Sequence, residues 1–197
     1  VTVLRFFLAV ALLAGAGGAA RAAPAPLLAP VRDVTIEYQV TPRDRAPLDV
    51  VVAVSAGGRR LHITSDALPT TILVNRDAGT ADILLPLLRA YAELRIGRYD
   101  PEQTVLRGAT FTRAGARMLT GRRCMEWRAV SRDGQAAACI TPDGVILRGE
   151  ASSGRKGALG SIEARRVVYG PLAPGLFHIP ADFRRSPIPF GAEADAP

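Results

Sequence analysis

The chain has 197 residues, with 25 Lys and Arg against 18 Asp and Glu and a formal charge of +7. Hydrophobic residues make up 48%, enough to pack a core, and the composition excludes collagen-like, coiled-coil and low-complexity architectures. The length fits one domain, or at most two small ones.

The first 22 residues read as a secretory signal peptide and not as part of the fold. Arg5 supplies the positive start, 6–13 the apolar stretch and 15–20 a run of small residues. Ala20-Arg21-Ala22 is an A-x-A site, which puts the cut between Ala22 and Ala23. No Cys stands at the cut, so the segment is not a lipoprotein signal. Its removal takes Arg5 and Arg21 with it, leaving 175 residues and a charge of +5. The remainder has no apolar run near the ~20 residues of a transmembrane helix. The expected location is therefore the periplasm or the cell exterior, with no integral membrane segment in the mature chain. All the basic residues but Lys156 are Arg, the bias of a GC-rich bacterial genome.

Residues 23–30 form an Ala/Pro linker without a pattern. From Arg32 the period becomes two: Val34, Ile36, Tyr38 and Val40 share one face, and Thr35, Glu37 and Gln39 the other, the mark of a half-buried strand. A polar turn over 41–47 leads to a Val-rich strand over 48–55, and Gly57-Gly58 turns it into a third strand over 59–64. Residues 71–76 and 80–85 pair around Asp77-Ala78-Gly79. The stretch 86–95 suits either a helical face of Leu87, Leu88, Tyr91 and Leu94, or a loop followed by a short strand at 91–95; the second is preferred. Asp100-Pro101-Glu102-Gln103 has the cap, first-turn proline and N3 glutamine of a short helix that Gly108 ends.

A meander of about four strands follows. Its members are 124–131, 135–141 after an Asp133-Gly134 turn, 145–148 after Pro142-Asp143-Gly144, and 161–169 after a flexible turn at 152–157. Beyond Gly170, five prolines at 171, 174, 180, 187 and 189 make an extended strap that cannot enter a sheet interior. The expected organisation is a single β-rich domain over 31–185 and a disordered tail over 186–197.

Three stretches carry a resemblance. They are Phe111-Thr-Arg-Ala-Gly115, then Thr120-Gly121-Arg-Arg-Cys124-Met-Glu-Trp127, and Cys139-Ile-Thr-Pro-Asp143-Gly144-Val-Ile-Leu-Arg148. With Leu176-Phe177-His-Ile-Pro180, they resemble uncharacterised bacterial periplasmic domains of the LolA-like group of lipoprotein carriers and lipid-binding half-barrels. The resemblance covers roughly 31–185. It implies a mainly β (α+β) fold: a curved antiparallel sheet forming an unclosed half-barrel, with one or two short helices on the concave side. It also implies a fold whose better-known members bind acyl chains. No binding residue of the carriers aligns, so none is carried over, and fold likeness alone does not assign function.

Cys124 and Cys139 lie on two arms of one hairpin, and two Cys in an oxidising compartment read as one disulfide. A strict two-residue Asp133-Gly134 turn places residue 128 opposite 139. The bridge therefore needs a bulge, a wider turn or a diagonal geometry. A redox pair is disfavoured, because there is neither a C-x-x-C spacing nor a nearby His. His62 and His178 lack ligand partners at metal spacing, so no metal site is expected. Ser131, Ser152, Ser153 and Ser161 lack a nucleophile elbow. Glu37, Glu126 and Glu163 look like solvated strand faces and not an acid/base pair. Without a glycine-rich phosphate loop, no cofactor is expected, and the chain reads as a non-enzyme. Arg pairs at 59–60, 122–123, 165–166 and 184–185 split between strand faces, which argues against nucleic acid as a partner.

The apolar rows supply the functional expectation. Val34, Ile36, Tyr38, Val50, Val52, Val54, Leu61, Ile63, Ile72 and Val74 would line a concave apolar groove suited to a lipid, an acyl chain or a lipidated protein. The same rows also fit a dry core. The alternatives are an envelope protein-interaction or stress-sensing module that binds protein through a sheet edge, or a hydrolase without a recognisable motif.

Overall fold

The computed structural model describes residues 25–96, 109–132, 134–153 and 157–186. The signal segment, the short helix expected over 100–108, the residues at 154–156 and the end of the tail lie outside the described residues.

Period-2 sequence gives strands throughout. They are β1 (Val34–Pro42), β2 (Leu48–Val54), β3 (Arg60–Ser65), β4 (Leu68–Asn75), β5 (Thr80–Leu85), β6 (Ala90–Arg95), β7 (Thr110–Leu119), β8 (Arg122–Val130), β9 (Gly134–Ile140), β10 (Ile146–Ser153), β11 (Gly157–Tyr169) and β12 (Arg184–Arg185). They form one sheet in the order β12-β6-β5-β4-β3-β2-β1-β11-β10-β9-β8-β7. All neighbours are antiparallel except β12, which runs parallel to β6. The order is linear, so the sheet has two edges and does not close into a barrel. The helical content among the described residues is three short 3₁₀ turns, at Ala56–Gly58, Pro86–Leu88 and Pro174–Phe177. The loop-plus-strand reading of 86–95 is therefore the one adopted. Thr110–Leu119 is a strand that the pattern did not announce, because Arg113-Ala-Gly115-Ala-Arg117 breaks the alternation and Ala114 is skipped in the register.

The sheet is strongly curved. In a flat sheet β1 and β8 would stand about 19 Å apart, four strand spacings. Yet Val34 and Ile36 of β1 share one buried cluster with Cys124 of β8, Cys139 of β9, Val145 and Leu147 at the start of β10, and Ala164 and Val167 of β11. Two hydrogen bonds cross intervening strands: the Tyr38 hydroxyl donates to the Ile146 carbonyl at 2.7 Å, and the Arg122 guanidinium to the Val167 carbonyl at 3.0 Å. Register shifts at Ala114, between Ile146 and Arg148, and at Arg165 bend the strands that take part, as bulges do.

The cluster occupies one end of the sheet. It takes the first residues of β1, β8 and β10 and the last residues of β2, β9 and β11, which antiparallel pairing brings to the same end.

Turn chemistry closes that end. Gly144 has φ 90°, and a Cβ there would fall 2.1 Å from the Ala29 carbonyl oxygen, so the Pro142-Asp143-Gly144 turn requires glycine twice over. The close approach holds the end of the Ala/Pro stretch against the domain: Val31 N–H donates to the Asp143 carbonyl and Gly57 N–H to the Pro30 carbonyl. Burial pushes the Asp143 carboxyl upward, but hydrogen bonds from Thr141, Tyr169, its own backbone and Arg32 outweigh this and hold it below the usual carboxylate range. Two guanidiniums lie against the Tyr169 ring, Arg32 at 3.9 Å and Arg122 at 4.7 Å from its centre.

The proline-rich strap keeps to the sheet edge, as its missing donors require. Arg184 N–H donates to the Arg89 carbonyl and Ser186 N–H to the Tyr91 carbonyl, while Arg185 pairs with Glu93 at 3.0 Å. Glu93 stands directly opposite Asp82. Asp82 Oδ1 is buried without a hydrogen-bond partner among the described residues. Burial first, then the Glu93 charge, push the Asp82 pKa up, and Arg185 pulls it partly back. A carboxyl whose pKa is raised on folding weakens the fold as pH rises through the window between its unfolded and folded values. Asp82→Asn is therefore expected to raise the melting temperature at pH 7. The gain over the parent should shrink to nothing as the pH falls below the ordinary carboxylate value, followed by thermal unfolding across that range.

Candidate binding site

The end of the sheet opposite the core holds a trough of about 590 Å³. Strand register explains its floor. Thr41, Ser161, Glu150, Ala137 and Arg128 pair in sequence across β1, β11, β10, β9 and β8, one lateral row on one face. The next row on that face contains Ala158, Ser152, Gln135 and Val130. Every one of these residues lines the trough, with Arg43 at its outer end, and so do the residues of the intervening row, Pro42, Gly160, Ala151, Ala136 and Ala129. Small side chains at Ala137, Ala158, Ser152 and Ser161 leave the volume unfilled.

A second hollow of about 270 Å³ adjoins the trough and shares Arg128, Ala137 and Glu150 with it. Its charged additions come from the following row, Arg148 and Glu126 with Cys139 between them, and from Arg117 of β7; Ala114, Trp127 and Ala138 complete the lining. The site thus grades from a floor of alanine, serine and valine into a charged pocket. Arg117 forms an ion pair with Glu126, and Arg113 lies 5.0 Å over the Trp127 ring.

Cys124 and Cys139 form the expected disulfide, with Cα atoms 5.3 Å apart. Ser131 N–H donates to the Gly134 carbonyl, so the hairpin turns one residue earlier than a strict Asp133-Gly134 turn would. That shift places Glu126 opposite Cys139. Cys124, two residues before Glu126, therefore reaches Cys139 diagonally on the face that bears the pocket. The bridge welds β8 to β9 where the charged pocket meets the core.

The ten apolar residues named from the sequence lie elsewhere, and none lines either hollow. Val34, Ile36 and Val54 are core, and Tyr38, Val52 and Leu61 pack against it. Val50, Ile63, Ile72 and Val74 are half-buried on β2 to β4. Position is the reason: the trough and the hollow are lined from the far end of β1 and from β7 to β11, whereas the ten residues lie on the earlier part of β1 and on β2 to β4. His62 is half-buried on β3, where burial lowers its pKa, and His178 is exposed. Among the described residues no group of three or more His, Cys, Asp or Glu is placed to hold a metal ion.

No family model matches the sequence, and no curated protein matches it. Solved structures do share the architecture. An uncharacterised conserved protein from Thermus thermophilus superposes with a TM-score of 0.58 at 13% identity, over 80% of this chain and 91% of that one. The MucA/MucB complex of Pseudomonas aeruginosa matches with a TM-score of 0.56 at 13% identity, over 77% of this chain and 57% of the matched one. A crystal structure of MucB gives 0.54 at 15%, over 79% and 60%. This chain spans little more than half of those MucB chains. At such identities the likeness establishes the fold, a curved unclosed sheet held in common with MucB and the Thermus protein.

Proposed function

We propose that the protein is a non-catalytic binding module of the bacterial envelope, exported by its amino-terminal segment. In this reading it holds the acyl chain of a lipid or lipidated protein in the trough at the open end of the sheet. The observation that carries the reading is the trough itself: about 590 Å³ left open over a floor of small side chains, while the core is confined to the other end. That volume lies in the range of small-molecule sites. Each methylene removed from water there contributes about 0.8 kcal/mol. The shared fold with MucB, whose structure is known with MucA bound, supports a binding role.

Ala137 sits at mid-floor, with Arg128 and Glu150 on either side of it. Ala137→Trp is expected to fill the trough and weaken binding of a fluorescent fatty acid at least about tenfold, the loss of roughly two buried methylenes. The melting temperature should stay close to that of the parent. Undiminished binding in this variant would remove the trough as the site.

One observation favours a second reading. β7 is a ten-residue edge strand with β8 as its single partner among the described residues, so an extended segment of another protein can add beside it. Crosslinks from a captured partner that map to β7, found with an empty trough, would favour that reading.

A further inference from the structure

Three charged side chains in the smaller hollow make no ion pair or hydrogen bond among the described residues: Arg128 on β8, and Arg148 and Glu150 on β10. Register shows why. Arg128 and Glu150 face the same residue, Ala137, from opposite sides, two strand spacings or about 10 Å apart. The alanine between them bridges nothing. Arg148 stands directly between Glu163 and Cys139. Glu163 is already engaged by Arg165 at 2.9 Å, and Glu126 beyond Cys139 by Arg117. The usual cross-strand partners of these charges are therefore absent or taken. Two guanidiniums and one carboxylate are left around a cavity that opens into the trough.

We infer that this hollow is the head-group subsite of the trough, built for a zwitterionic phosphodiester head of the phosphoethanolamine type. Arg128 and Arg148 hold the phosphate through charge-assisted hydrogen bonds, and Glu150 receives the ammonium. The inference rests on the trough reading above and adds the class of head. A glycerol head offers nothing charged to Glu150, and a fatty acid offers one anion without a cation. The gap between Arg128 and Glu150 is wide enough for a head that bears both signs. The chain then runs from the shared residues Arg128, Ala137 and Glu150 along the small-residue floor.

Titration calorimetry with soluble short-chain lipids tests this, using the full mature chain. The probes are dihexanoyl phosphatidylethanolamine, dihexanoyl phosphatidylglycerol, free phosphoethanolamine, inorganic phosphate and an uncharged dodecyl glycerol ether. Arg128→Gln and Arg148→Gln are each expected to weaken the ethanolamine lipid about tenfold, the effect of one lost charge-assisted hydrogen bond. Glu150→Gln should weaken the ethanolamine lipid and leave the glycerol lipid unchanged. Arg148→Gln, whose residue lines the hollow and not the trough, should bind the uncharged ether as the parent does. These residues are exposed, so the variants should fold normally.

Unchanged lipid affinity in all three variants, with loss in Ala137→Trp, would overturn the head-group subsite while leaving the trough standing. Failure of the parent to bind the ether or either lipid would overturn the trough reading and this inference with it. Phosphoethanolamine or phosphate binding as tightly as the lipid would make the hollow a free-anion site and overturn its assignment to a lipid head.

Discussion

Leu147→Ala is expected to destabilise the protein by about 2–5 kcal/mol, the range for emptying a fully buried leucine site. Leu147 is 0% exposed and belongs to the cluster that joins β1 to β8, β9, β10 and β11. Its neighbours include Val34, also at 0%, and the two half-cystines. Little of the gap can close by relaxation. The disulfide ties β8 to β9 on one side, and the register shift between Ile146 and Arg148 pins the start of β10 on the other. Urea unfolding should show a lower midpoint with an unchanged slope. A loss below about 1 kcal/mol would mean that the cluster is loosely packed and that another contact holds the curvature.

Removing the disulfide comes next in size. Replacing both Cys124 and Cys139 by serine is expected to cost about 3 kcal/mol through the freedom returned to the unfolded chain by a loop of 15 residues. A further penalty follows, because both sulfurs are nearly fully buried and two hydroxyls would enter an apolar cluster. The Cys124→Ala, Cys139→Ala pair avoids those hydroxyls, so the difference between the two double variants isolates the polar cost. Reductant should lower the parent's melting temperature and leave the alanine variant unmoved. Because Cys139 lies in the row that contains Arg148 and Glu126, reduction should also loosen the charged pocket and weaken ligand binding before global unfolding.

Much of this architecture is legible residue by residue. The alternation of Val34, Ile36 and Tyr38 announces β1, and the Val-rich run that follows announces β2. Paired glycines and Pro142-Asp143-Gly144 mark turns by backbone chemistry alone. The proline spacing after Gly170 keeps the strap at the edge. Two cysteines on one hairpin name their own partner. β7 is hidden in the sequence because a bulge at Ala114 and two arginines erase its period, so its pairing with β8 is a tertiary fact.

The site was less legible than the fold, for a geometric reason. Apolar alternation says which residues leave water, and on β1 and β2 most of them do so by packing against Cys124, Cys139 and Leu147. A cavity arises where side chains are too small to fill a bend. Smallness at Ala137, Ser152 and Ala158 carries no periodic signal until register sets these residues in adjacent rows.

By itself the sequence determined most of the strands, with β7 the exception, and the turns, the disulfide and the class of sheet, because each depends on local chemistry or on a count of two. Only the tertiary structure decided which end of the curved sheet is filled and which is hollow. That depends on bulges, on cross-strand register and on the volumes of residues far apart in the chain. The same register sets Arg128, Arg148 and Glu150 around one pocket, with no partner for any of them among the described residues.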